Sequence, residues 1–172
     1  MLVLGLDPGT AITGYGLIRY ENGRLEVVAS GTLETSKRES EVARLNSLFN
    51  AAEALLAEHR PDAIAVEHLF FGRNVNTMLN VSRASGVLLL AAARASIPVT
   101  EYTPMQVKMA VVGYGVAEKQ QVQFMVTRIL GLDAPPKPDD VADALALAIC
   151  HAHSSKLGAL DPSGIGHRKR GT

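Results

Sequence analysis

Residues 2–34 read LVLGLDPGTAITGYGLIRYENGRLEVVASGTLE, and residues 62–67 read DAIAVE. The first stretch divides into three strand-like segments, Leu2 to Asp7, Thr13 to Tyr20 and Arg24 to Glu34. Between the last two sits Asn22-Gly23, a dipeptide that accepts the positive φ angles of a tight hairpin turn. An antiparallel meander is therefore predicted. A helix is predicted next, from about Ser40 to His59. There Val42, Leu45, Leu48, Phe49, Ala52, Leu55 and Leu56 recur at helical spacing and make one apolar face. Pro61 closes it, and Asp62 to Glu67 reads as a short buried strand. A strand, a crossover helix and a second strand make the fourth strand parallel to an earlier one.

Outward from this frame, the chain alternates. A long helix is predicted from Asn74 to Ser96 and a fifth strand from Pro98 to Tyr102. Thr103-Pro104-Met105-Gln106 then carries a helix start. Threonine is a good N-cap, proline suits the first helical position, and glutamine completes a capping box. Two more helices follow, Ala117 to Leu130 and Asp139 to His153, separated by Pro135, Pro136 and Pro138. The expected fold class is α/β, a mixed five-stranded sheet flanked by helices. One domain spans residues 1–154, and the Gly-, Ser- and basic-rich residues 155–172 are expected to be a flexible tail.

The 172 residues suit a single core, and 47% hydrophobic with 20% charged residues describes an ordinary globular chain. Net charge is zero, with 17 basic and 17 acidic side chains, which argues against indiscriminate coating of nucleic acid but not against a local basic groove. Cys150 is alone, so no internal disulfide forms, and its apolar surroundings predict a small buried side chain. No signal peptide pattern opens the chain, and no apolar run is long enough for a bilayer. A cytoplasmic location and no membrane association are expected.

The chemistry lies in the acids. Asp7 and Glu67 each end an otherwise apolar strand. If those strands are parallel neighbours, their C-terminal ends coincide, where ligands of open α/β sheets gather. Asp7 before Pro8-Gly9 could equally be a turn former, and Glu67 a solvated exit residue. Asp140 and Asp143 are three apart and share one helix face. Asp139 or Asp140 could merely cap that helix. Asp143 enters an apolar run, where a carboxylate needs a partner; no Arg or Lys adjoins it in sequence, and a cation would serve. Several carboxylates without a His/Cys cage suit Mg²⁺ or Mn²⁺, and two such ions suit phosphoryl transfer. His151 and His153 are two apart, so a shared metal is not expected; one should be at the surface and one partly buried.

Leu4-Gly5-Leu6-Asp7-Pro8-Gly9-Thr10 with Thr13-Gly14-Tyr15-Gly16 resembles the opening of the RuvC family, bacterial Holliday junction resolvases of the RNase H-like fold. Ala65-Val66-Glu67 with Phe70 resembles its second acidic strand and aromatic loop. Gln106-Val107-Lys108, Val111-Val112-Gly113 and Ala117-Glu118-Lys119 with Gln121-Val122 resemble its basic region, and Asp140-Val-Ala-Asp143-Ala-Leu-Ala its last acidic helix. The likeness runs in order from about residue 2 to 154.

The resemblance implies a homodimer that binds four-way junction DNA and cuts two strands of like polarity with divalent metal. It would do so beside the RuvA and RuvB branch-migration proteins, in recombination and repair. By matching position, Asp7, Glu67, Asp140 and Asp143 would be catalytic metal ligands, for Mg²⁺ or Mn²⁺, two ions per site. Lys108 and Lys119 would meet the DNA backbone, as would Arg73 and Asn74 in the aromatic loop, and Phe70, favoured over Phe71 by register, would stack on a base. Ser85 stands where many relatives are expected to carry arginine, with Arg83 two residues earlier. Either that DNA contact has moved or this region binds differently. Two other readings compete: a fragment of an actin-like-fold ATP phosphotransferase, suggested by Gly-x-Asp-x-Gly-Thr, and a catalytically idle junction-binding protein.

Overall fold

The computed structural model describes residues 1–68 and 75–160, without the side chains of 75–77 and 156–160. Five strands, β1 (Leu2–Asp7), β2 (Ile12–Glu21), β3 (Arg24–Glu34), β4 (Ala63–Glu67) and β5 (Val99–Tyr102), form one sheet in the order β3-β2-β1-β4-β5. The first three pair antiparallel, while β4 runs parallel to both β1 and β5. Asn22 and Gly23 at the hairpin have φ angles of 51° and 80°, as their sequence required.

The helices are α1 (Glu41–His59), α2 (Val75–Arg94), α3 (Pro104–Val112), α4 (Lys119–Ile129) and α5 (Asp139–Leu160). Ser40 caps α1, accepting from the Ala43 N–H. The capping box of α3 is present: the Gln106 N–H donates to Thr103 Oγ1 at 3.2 Å, and the Thr103 N–H to Gln106 Oε1 at 2.8 Å. Helix α5 continues past the expected end at His153 to Leu160, so the boundary drawn at 154 falls inside a helix.

The two sheet faces are covered differently. Leu4, Leu6, Leu17, Ile64 and Val66 pack under α1 and α2 with Leu48, Leu55, Leu56 and Leu88. Val3, Ala65 and Tyr102 pack under α5, with α3 and α4 beyond. Side chains alternate along a strand, so Asp7, Glu67 and Tyr102 project from the α5 face. Helix α5 is apolar nearly all round, with every residue from Ala144 to Cys150 buried. It lies close to the sheet because β1 and β2 carry glycines beneath it. A Cβ on Gly5 would sit 1.9 Å from the Ala144 carbonyl oxygen, and one on Gly14 would sit 2.1 Å from that of Asp140.

Among the described residues, no helix is long and apolar enough to cross a membrane. Cys150 is buried as expected, and burial pushes its thiol up to about 11, which keeps it protonated and unreactive. The histidines depart from expectation. Both His151 and His153 are partly buried, neither being at the surface. Each has a partner, the Tyr102 hydroxyl for His151 and the Ala110 carbonyl for His153.

Candidate active site

Parallel pairing of β1 and β4 ends with Leu6 opposite Val66. Asp7 and Glu67 are the next residue on each strand, so the carboxylates leave the sheet side by side. Beyond Asp7 the chain turns sharply at Pro8-Gly9. Thr13, fully buried, donates to the Gly9 carbonyl at 2.8 Å and accepts from the Gly9 N–H at 3.3 Å, which fixes that turn. The first turns of α5 bring the other two acids over the strand ends. Asp140 lies against Gly14, itself opposite Asp7 in the β1–β2 register. Asp143 follows one turn on, facing the same opening.

Asp7, Glu67 and Asp143 line a cleft with Lys108, Lys119, Pro104, Val107, Val122, Ala146 and Leu147. Its cavity volume of about 200 Å³ has room for ions, water and a phosphate, and it opens to solvent. Electrostatics confirm that the acids share one environment. Burial first, then the charges of Asp143, Glu67 and Asp140, push the Asp7 carboxyl up to about 7, against a smaller pull from Lys119. Burial and Asp143 also raise Glu67, again opposed by Lys119. At neutral pH the site therefore holds more negative charge than it can comfortably keep.

Lys119 is the compensating cation, and sequence adjacency had given no hint of it. Its ammonium donates to Asp143 Oδ2 at 2.9 Å and lies 3.5 Å from Asp139 Oδ2. The hydrogen bond to Asp143 raises the lysine pKa, so it stays protonated. The partner that Asp143 needs in its apolar run thus comes from the start of α4. The available signal was pattern, not proximity: Lys119 stands one turn before Val122 at the start of the apolar face of α4, and both line the cleft. Asp139 is exposed and turned to Lys119, whereas Asp140 is half-buried and acts on Asp7. Of the two, Asp140 is the one whose charge reaches Asp7.

Lys108 lines the cleft from α3, one turn after the capping box. Phe70, Phe71, Arg73 and Asn74 lie outside the described residues. Ser85 is buried, and Arg83 beside it forms an ion pair with Glu41, so neither offers a free basic group on α2.

The donor set fits a hard divalent cation: four carboxylates, all oxygen, buried enough that mutual repulsion raises two of them. Among the described residues, no three acids, histidines or cysteines stand close enough together to hold a metal ion in this conformation. Asp7, Glu67 and Asp143 share the cleft, and Asp140, outside its lining, adds its charge to the field at Asp7.

Residues 3–151 match the family model described as crossover junction endodeoxyribonuclease RuvC. A protein of that name from Heliobacterium modesticaldum is 58% identical over 158 residues, covering 92% of this chain and 98% of the relative. Another from Syntrophomonas wolfei is 56% identical over 159 residues, covering 92% of each. Among solved structures, Thermus thermophilus RuvC in complex with Holliday junction substrate superposes with a TM-score of 0.87 at 38% identity, covering 92% of this chain and 96% of that one. Fold, acid placement and these likenesses agree along the length of the chain, which belongs to the RuvC family of crossover junction endodeoxyribonucleases.

Proposed function

We propose that this chain resolves four-way DNA junctions by hydrolysing phosphodiester bonds at the cleft between the β1–β4 strand ends and α5. The observation that carries the reading is the meeting of Asp7, Glu67 and Asp143 with Lys108 and Lys119 in one cleft, where burial and neighbouring acids raise the Asp7 carboxyl to about 7. Such a site gains from a divalent cation and from a phosphate that brings one. Asp7, Glu67, Asp140 and Asp143 are the residues to hold Mg²⁺ or Mn²⁺, two ions per site. Bound there, the metal would supply Lewis acidity and a water of lowered pKa.

The chain's own residues supply the rest. Lys108 and Lys119 set ammonium groups on the cleft wall, where they can meet phosphate oxygens and hold a strand in register. Val107, Val122 and Leu147 keep one wall apolar, which strengthens each charge interaction within. Phe70, Arg73 and Asn74 are assigned to junction contact, with Phe70 stacking on a base.

The nuclease domain is assigned to the chain through α5, which carries it past residue 154 to Leu160, and the basic residues beyond to a tail. The protein acts as a homodimer in the cytoplasm, beside RuvA and RuvB. Leu79 and Leu90 on α2 are large apolar side chains left exposed, and they offer a surface suited to the dimer contact. The relatives' shared name across nearly the whole chain leaves no room for the phosphotransferase reading.

The test is a labelled four-way junction, beside plain duplex, incubated with the protein and Mg²⁺ or Mn²⁺. Paired symmetric nicks in the junction alone are expected. Cleavage of both substrates at equal rates, or of neither, would overturn the proposal.

A further inference from the structure

Tyr102 is the last residue of β5 and pairs in register with Glu67 on β4. Paired residues of parallel strands point to the same face, so the tyrosine ring lies beside the Glu67 side chain, under α5. Its backbone is tied to the residue after Glu67, because the His68 N–H donates to the Tyr102 carbonyl at 2.8 Å. Its side chain is tied to α5: the hydroxyl lies 3.0 Å from His151 Nδ1, and the two rings meet edge to face with centroids 5.9 Å apart. His151 sits two turns beyond Asp143, with Leu147 of the cleft wall between them. One side chain therefore connects the strand end that carries Glu67 to the helix that carries Asp143.

Much of the packing between α5 and the sheet is apolar and without direction. Ala65, Ala146, Ala148 and Ile149 are apolar and can slide. A partly buried hydroxyl–imidazole hydrogen bond is directional, and removing either partner takes that constraint away from the strand ends. Ser154, one turn after His151, adds a further polar neighbour to the same hydroxyl. Burial lowers the His151 pKa, so the ring is neutral at pH 7 and able to keep this bond.

We propose that Tyr102 is a positioning residue: through its hydrogen bond to His151 it fixes the β4–β5 strand ends against α5 and so sets the separation of Glu67 from Asp143. This rests on the reading of those acids as metal ligands. The tie acts on the ligands from outside the cleft, in the manner of other groups that orient metal ligands, whose loss costs roughly 10–100-fold in metal affinity or activity.

The experiment uses the full chain with Tyr102→Phe, His151→Ala and His151→Asn. Mn²⁺ binding is measured without DNA by electron paramagnetic resonance of the free ion, junction affinity in EDTA by fluorescence anisotropy, and Tm by calorimetry. Tyr102→Phe keeps the ring and its packing, and His151→Asn keeps a hydrogen-bonding group near Nδ1. We expect Mn²⁺ affinity to fall about tenfold in Tyr102→Phe and His151→Ala and to recover in His151→Asn, with junction affinity unchanged. Lower Tm with unchanged Mn²⁺ affinity would mark the pair as structural and overturn the inference. Equal weakening in His151→Asn and His151→Ala would also overturn it. Failure of the wild-type chain to bind Mn²⁺ at all would instead remove the metal reading beneath it.

Discussion

The two faces of the sheet are built from opposite materials. Under α1 and α2 lie large branched side chains such as Leu4, Leu6, Leu17, Leu48, Ile64 and Leu88, each almost fully buried. Under α5, Gly5, Gly14 and Ala65 stand among Val3, Ile18 and Tyr102, and the helix backbone nearly touches the strands at Gly5 and Gly14. The first face fills its volume; the second gives volume up for proximity. That exchange places Asp140 and Asp143 over the ends of β1 and β4, where Asp7 and Glu67 already stand. It also concentrates negative charge, which works against folding. One face contributes stability, and the other spends some of it on a cation site.

The largest effects should separate the faces completely. Asp7→Asn should cut junction cleavage by roughly a thousandfold or more, the scale of several kcal/mol of charge stabilisation. Junction binding should persist, and metal-free stability at pH 8 should rise by on the order of 2 kcal/mol as the repelled charge is removed. Leu48→Ala, on the other face, should cost about 2–5 kcal/mol of stability and leave cleavage per folded molecule unchanged. Cleavage assays paired with denaturant titrations read both; a Leu48→Ala protein that stays folded yet cuts slowly would dissolve the distinction.

A smaller effect is expected where the faces meet. Gly5→Ala forces a methyl into the Ala144 carbonyl. It should destabilise by about 1–3 kcal/mol and slow cleavage by roughly a hundredfold, because a displacement near 1 Å suffices for that. Wild-type cleavage in a folded Gly5→Ala protein would show that the close approach serves packing alone.

Two further tests sharpen the electrostatic half. In the folded state Asp7 keeps a proton up to about pH 7, whereas the unfolded chain releases it near pH 4. The folded state thus holds the extra proton within that window, and its stability falls as pH rises from about 4 to about 7, then levels. Calorimetric Tm across that range should show the decline in wild type without metal and a flatter profile in Asp7→Asn. Smallest of all, Lys119→Met should lower the salt dependence of junction binding by about one in the log–log slope if its ammonium meets a phosphate. An unchanged slope would confine Lys119 to its ion pairs with Asp139 and Asp143.

Much of this was legible in the chain. The meander, the Asn22-Gly23 turn, the parallel β4 and the α3 capping box follow from local periodicity and turn chemistry, which a short window contains. The convergence of Asp7 with Glu67 followed from topology, since parallel neighbours share their C-terminal ends. What escaped was set by long-range packing. Lys119 neutralises Asp143 from 24 residues away, and His151 finds Tyr102 from 49. Both contacts exist because α5 settles on the sheet, and that depends on glycines which read, in sequence, as ordinary strand residues. The end of α5 at Leu160 escaped for another reason, since no Gly or Pro at 154 stops a helix there.

Four acids from three separate segments of the chain share one field that a divalent cation would relieve. Nuclear magnetic resonance titration of the Asp7 carboxyl carbon, with and without Mg²⁺, tests it most directly. The account predicts titration near pH 7 in the metal-free protein and a large downward shift when Mg²⁺ is bound. An Asp7 that titrates near pH 4 in both conditions would contradict it.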